Sequence, residues 1–210
     1  MPSRSSPLVL LLLVVLVAAA TAQLPDRGNQ ALDLLKAGQT NEAAGIFEAL
    51  LTDNPADATA RAADDFARRW LTRLDREKLK AQLQELYRQH IEYPASIPPA
   101  PDRWGKPWSY RVVDLKHIAG TKSQSFVLES PTLGTNSDLR AALNNLAAPF
   151  PWKIVSADDK VATFTRPGNP QPVLLSAGTT LDGVTLIQIG DRDLIVCDGD
   201  RWLRIPVPKR

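Results

Sequence analysis

The chain has 210 residues, room for one large domain or two to three small ones, and an ordinary apolar share, so a buried core is expected and wholesale disorder is not. Its net charge is +2 and the basic residues are scattered, which argues against nucleic acid as a partner, because phosphate neutralisation needs clustered lysine and arginine. Cys197 is the only cysteine, which rules out a disulfide framework and a cysteine-built metal site and leaves a small buried apolar residue as its reading.

Residues 1–22 read as a secretory signal. Arg4 gives a minimal positive start, Leu8 to Val17 is an unbroken aliphatic run, and Ala20-Thr21-Ala22 offers small residues for cleavage. The apolar stretch stops short of the roughly 20 residues that span a bilayer. The expectation is an exported, periplasmic protein, held at the membrane only if the leader stays uncleaved as an N-terminal anchor.

From residue 23 to 74 the pattern is helical. Ala31, Leu34 and Leu35 repeat at helical spacing and Gly38 stops them; Asn41 to Ala44 opens a second helix with Ile46, Phe47, Leu50 and Leu51 on one face, closed by Asn54-Pro55. The spacing of Gly38, Ala43, Phe47 and Pro55 makes residues 29–57 similar to one tetratricopeptide repeat, with an ordinary helical hairpin as the alternative. A single repeat needs another surface to cover its faces. Further on, Phe66, Trp70 and Leu74 form one stripe. Leu79, Leu83, Leu86 and Tyr87 form a second, offset by a five-residue step at which Thr72 or Asp75 is expected to cap a fresh helix. Arg68, Arg69, Arg73, Arg76, Lys78 and Lys80 are expected on a solvated face. His90 is expected half-buried at the stripe's edge.

The helical pattern ends at Tyr93-Pro94. A proline-rich turn follows, then Asp102-Arg103-Trp104-Gly105-Lys106-Pro107-Trp108-Ser109-Tyr110. Indoles there supply large buried area, Gly105 allows positive φ, and each proline bars a helix, so a turn pinned onto a core is expected. Ser109 to Leu115 and Ser125 to Ser130 read as strands joined through Ala119-Gly120-Thr121, with Tyr110, Val112, Phe126 and Leu128 facing the preceding helix. Asp138 to Leu146 reads as a short helix capped by Ser137 or Asp138.

On Tyr87, Tyr93, Pro94, Asp102, Trp104, Gly105, Pro107 and Tyr110, followed by Phe126 to Ser130, residues 75–140 resemble the globular domain of the type II secretion system major pseudopilin. The resemblance implies a long helix packed on a small antiparallel β-meander, in a protein that works by touching other proteins. It also implies a calcium loop around 133–138, for which this chain offers only Asn136 and Asp138, a thin ligand set for a hard cation. No glycine precedes the apolar N-terminal run and no glutamate lies within it, a departure from the prepilin leader that packs pseudopilins into filaments.

Pro149-Phe150-Pro151 marks a boundary, and the remainder, 149–210, reads as a small all-β module. Expected strands are Val161–Arg166, Val173–Ser176, Val184–Ile189, Leu194–Cys197 and Trp202–Val207, split by turn residues that include two Asp-Gly pairs. Leu203, Ile205 and Val207 are expected inward and Arg204 outward. About 161–207 is similar to the small periplasmic β-domain of secretion and pilus-assembly inner-membrane proteins.

Nothing here reads as an enzyme. Gly-x-Ser-x-Gly, His-Glu-x-x-His and a phosphate-binding glycine loop are missing from the sequence. Asp64-Asp65 and Asp158-Asp159 are adjacent pairs whose side chains point apart. His117 with Asp114 and Ser123 or Ser125 is the one imaginable triad, and loop proximity alone does not make one. The expected fold class is therefore α+β, with divisions at 1–22, 23–74, 75–148 and 149–210. The expected function is a non-catalytic exported protein of a type II secretion or type IV pilus-like system, without cofactor, docking on envelope proteins through Phe66, Trp70, Trp104 and Trp108. The alternative is a periplasmic glycan- or peptide-binding protein that uses the aromatic hinge as a stacking platform.

Overall fold

Apolar residues at helical spacing, stopped by Gly38 in the left-handed region (φ 80°), give an N-terminal hairpin of α1 (Leu24–Lys36) and α2 (Thr40–Glu48). The computed structural model describes residues 23–98, 100–115 and 123–207. The leader at 1–22, the loop at 119–121 and His117 lie outside them. Together the described residues form a mixed α+β protein in two compact units: residues up to Ala67 with those from Phe150 onward, and Arg68 to Pro149. The helical segment and the β-module, which the sequence reading held apart, thus belong to one unit.

Within that first unit Ala43 and Phe47 are fully buried, and Phe47 meets Phe66 edge to face at 5.6 Å. Phe66 lies near the start of α3 (Ala58–His90). The β-module is a sandwich. One sheet has the order β3 (Lys153–Ala157), β4 (Val161–Arg166), β5 (Asn169–Ser176). The other runs β6 (Thr180–Leu181), β7 (Val184–Ile189), β8 (Asp193–Cys197), β9 (Trp202–Pro206), all antiparallel. Trp152 just ahead of β3, Ile154, Phe164 and Leu175 from the first sheet and Leu186, Leu194 and Val196 from the second fill the space between, with Leu203 and Ile205 packed against them. The strand β3 and the two-residue β6 were not expected from the sequence.

Trp202 points the other way. It pairs with Cys197 across the β8–β9 ladder, stacks edge to face on Phe66 at 5.9 Å, and covers Gly28 of α1. A β-carbon on Gly28 would sit 2.6 Å from the indole Nε1, so only glycine permits this approach. The outer face of the sheet, read from alternation as solvated, is here a seat for the helices.

The second unit holds the rest of α3, the hairpin β1 (Ser109–Leu115) and β2 (Ser123–Glu129), a 3-10 turn at Gly134–Ser137 and α4 (Leu139–Asn145). The helix α3 is continuous, and the fresh start expected at Thr72 or Asp75 does not occur. Trp70, Leu71, Thr72, Arg73 and Leu74 are consecutively buried, so this turn is enclosed on every side and needs no single apolar stripe. Leu83 packs with Trp108 and Leu128, joined by Leu79, Tyr93, Tyr110 and Phe126.

Candidate functional site

The residues that carry the hinge motif come together in the second unit. Tyr87 stacks on Tyr93 at 4.5 Å, and Tyr93 meets Phe126 edge to face at 4.9 Å. The Tyr110 hydroxyl donates to the Pro94 carbonyl at 2.8 Å. What closes the turn is a carboxylate. Asp102 Oδ1 accepts from the backbone N–H groups of Trp104 (3.0 Å) and Lys106 (2.9 Å), and its Oδ2 accepts from the Ser130 hydroxyl at 2.6 Å. Gly105 holds φ at 79°, and a bridge joins Pro101 to Pro107. Ser130 Oγ accepts in turn from the N–H of Thr132, and the Ser130 N–H donates to Ser137 Oγ. One buried aspartate thereby ties the proline-rich turn to the segment after β2.

Phe66, Trp70 and Trp108 do not form the contact surface expected of them. Phe66 and Trp70 are fully buried, Trp108 is buried against Leu83 and Leu128, and only Trp104 is half-exposed. Phe66 is claimed by Phe47 and Trp202, and Trp70 lies under the Arg73 guanidinium at 4.6 Å. The hinge likewise offers no stacking platform of two exposed indoles.

The arginines of α3 are not a solvated face either. Arg73 is fully buried and its Nε donates to the Asn136 carbonyl at 2.9 Å; Arg76 donates from Nε to the Leu128 carbonyl (2.8 Å) and from Nη1 to Asp138 Oδ2 (3.0 Å). Asp75 holds Arg103 through Nε at 2.6 Å. These planar forks reach oxygens that a strongly hydrated lysine would leave to water. Asp138 also caps α4, accepting from the Ala141 N–H at 2.8 Å. The carbonyl of Asn136 and the carboxylate of Asp138 therefore already serve guanidinium groups. Among the described residues no group of three or more histidine, cysteine, aspartate or glutamate side chains stands together as a metal site. Adding calcium or a chelator is expected to leave the thermal midpoint unchanged; a rise of several degrees with calcium would show an ion-built loop.

Two carboxyls are held below the ordinary value of 3.8. For Asp102, burial pushes upward but is outweighed by donation from Ser130, Lys106 and Trp104; for Asp138 the Ala141 N–H is the main cause, helped by Arg76 against a smaller burial effect. A carboxyl with a depressed folded value stabilises the fold fully above its unfolded value and loses that contribution as pH falls through the folded one. Stability is thus expected to be flat from about pH 6 to about pH 4 and to fall below it. Urea midpoints across that range check this, and Asp102→Asn is expected to flatten part of the acid limb.

The other chemistry-bearing residues stay apart. Asp64 accepts from the Thr52 N–H at 3.0 Å, which ties α3 to the segment before it, and Asp158 accepts from the N–H groups of Lys160 and Val161, both at 2.8 Å, in a local turn. His90 is exposed at the C-terminus of α3 instead of half-buried. Cys197 is buried. Asp114 accepts from Gln124 at 3.2 Å, and its imagined partner His117 is outside the described residues.

What the sequence missed is a groove. One wall is the face of α3 carrying Leu79, Leu83 and Leu86; the other is the loop with Pro94, Ile97 and Pro98; its volume is about 440 Å³. A second hollow of about 380 Å³ adjoins it at Leu86 and Pro94 and is lined also by His90, Glu92 and Tyr93. Between His90 and Glu92, Ile91 sits in the left-handed region (φ 58°) and is 75% exposed; Leu86, which lines both hollows, is 38% exposed. A β-branched residue there costs about 1–2 kcal/mol where glycine would be free of strain. The sandwich, by contrast, offers blunted edges: β5 carries Pro170 and Pro172, β6 has two residues, β3 is bulged, and β9 ends at Pro206.

Compared with protein families, curated proteins and solved structures, the chain matches none of them. Among the described residues no helix is long and apolar enough to cross a membrane.

Proposed function

We propose that this is a non-catalytic, exported protein that works by docking on other envelope proteins, in a type II secretion or type IV pilus-like system. The observation that carries the reading is the hinge: the motif residues shared with the major pseudopilin's globular domain meet around one long helix and one β-hairpin. Tyr93 anchors to Gln124 of β2 through its N–H at 3.1 Å, and Tyr110 of β1 reaches back to Pro94. A pseudopilin-like arrangement of residues 75–140 is part of this reading, as is the removal of the leader after Ala22. The partners' place is taken by the groove beside α3 and not by the tryptophans. Photo-crosslinking from position Leu86 in intact cells that host such a system is the test. Products containing secretion or pilus-assembly components are expected; products devoid of them would overturn the assignment to that machinery.

A further inference from the structure

We infer that the outer edge of β1 takes an extended segment of another polypeptide as a third strand of the β1–β2 sheet, with an acidic residue of that segment beside Arg111. This goes beyond the proposed function: it depends neither on which machine supplies the partner nor on what fills the groove beside α3.

The backbone decides the kind of occupant. A strand paired on one side turns the N–H and C=O groups of alternate residues to its other side. Among the described residues those groups of β1 have no partner, since its sheet has two strands and its main-chain bonds go to β2 alone. The far side of the hairpin is already in use: the Leu128 carbonyl accepts from Arg76 Nε at 2.8 Å, and the Gln124 side chain accepts from the Tyr93 N–H. Nor is β1 guarded as the edges of the sandwich are. Its seven residues keep one register, from Ser109 opposite Glu129 to Leu115 opposite Ser123, with no proline, lysine or bulge. Ser109, Arg111, Asp114 and Leu115 are exposed. An edge that is long, regular and unpaired is a template for a further strand.

The side chains decide its chemistry. Tyr110 packs into the core with Leu128 and Phe126, so Tyr110, Val112 and Asp114 share the inner face of β1 and Ser109, Arg111, Val113 and Leu115 the outer one. Arg111 is the one charged residue of that outer face. It stands opposite Val127, and among the described residues it forms no ion pair, with Glu129 diagonally across the ladder or with any other carboxylate. An added strand sets a residue directly beside Arg111 on the same face, where opposite charge stabilises and like charge repels. The matching segment therefore carries an acid there and an aliphatic residue two positions along, beside Val113. A second copy of β1 does not supply this. Antiparallel copies pair residues of one face, which puts Ser109, Val113, Leu115 or another arginine beside Arg111. Asp114, the one carboxylate of the strand, lies on the opposite face and already accepts from Gln124 at 3.2 Å.

The test is a displayed library of short random peptides, selected on the full chain and counter-selected on its Arg111→Glu variant. Arg111 is exposed, so that variant retains the fold. Enriched sequences are expected to carry aspartate or glutamate with an aliphatic residue two positions away. Synthetic copies are expected to lose about tenfold in affinity on Arg111→Glu and to regain it when their acid is replaced by lysine. N-methylation of the peptide backbone, one residue at a time, is the sharper probe. It is expected to abolish binding at every second position, a period that contacts made by side chains alone do not produce. The inference is overturned if no sequence survives counter-selection, if the charge swap does not restore binding, if N-methylation shows no two-residue period, or if the chain dimerises through β1 and excludes the peptides.

Discussion

Trp202→Ala is expected to be among the most damaging single changes in the chain, with a loss of about 3–5 kcal/mol of unfolding free energy. The indole is 4% exposed, stacks on Phe66 and closes over Gly28, so its removal leaves a cavity between the second sheet of the sandwich and α1. Gly28 supplies a check that a general core effect does not pass. In the wild type, Gly28→Ala drives a β-carbon to within 2.6 Å of Nε1 and is expected to cost about 1–3 kcal/mol through overpacking. In the Trp202→Ala background only the Phe66 ring, 3.1 Å from such a β-carbon, remains in the way and has the space left by the indole to shift into, so alanine's helix propensity, about 1 kcal/mol better than glycine's, is expected to make the same change stabilising. Chemical denaturation of the four proteins gives the cycle. A Gly28→Ala effect of the same sign in both backgrounds would show that the indole does not rest on that helix.

Asp102→Ala is the second. It removes the acceptor of two backbone N–H groups and of the Ser130 hydroxyl, and is expected to cost about 2–4 kcal/mol. Asp102→Asn is expected to cost less, about 1–2 kcal/mol, because an amide oxygen still accepts from Trp104 and Lys106 while its nitrogen faces Ser130. Hydrogen exchange locates the effect: the amides of Trp104 and Lys106 are expected to lose protection first. Unchanged exchange at both would mean that the tryptophans hold the turn and the carboxylate does not.

Elements with strong local signals were legible. Gly38 ends α1, β1, β4 and β7 have the expected bounds, Asp138 caps α4, and Tyr110, Phe126 and Leu128 face the core. What escaped notice depended on partners distant in sequence. The residues Lys153 to Ala157 are short and bulged, and the pairing with β4 defines them more than any internal pattern does. Alternation in β9 placed Leu203 and Ile205 inward correctly but left Trp202 on a face taken for solvent, since one strand does not tell that a helix covers its far side. Arginine is read as a surface residue by its charge, yet Arg73 and Arg76 lie in the fold because loop carbonyls and Asp138 meet their forks. The groove was invisible for the same reason: Leu79, Leu83 and Leu86 announce an apolar stripe, and only the course of the loop from Pro94 to Pro98 leaves part of it uncovered.

The order of the chain through its two units has a consequence for how the protein is made. The seat at Gly28 is among the earliest residues described and the indole that fills it among the last, whereas the unit from Arg68 to Pro149 is one uninterrupted stretch. During synthesis the middle stretch can complete its native contacts while the first helices wait, their apolar sides open, until the final strand emerges. A nascent chain halted before Trp202 should therefore already protect Trp108 from quenchers yet remain sensitive to protease between Leu24 and Phe47.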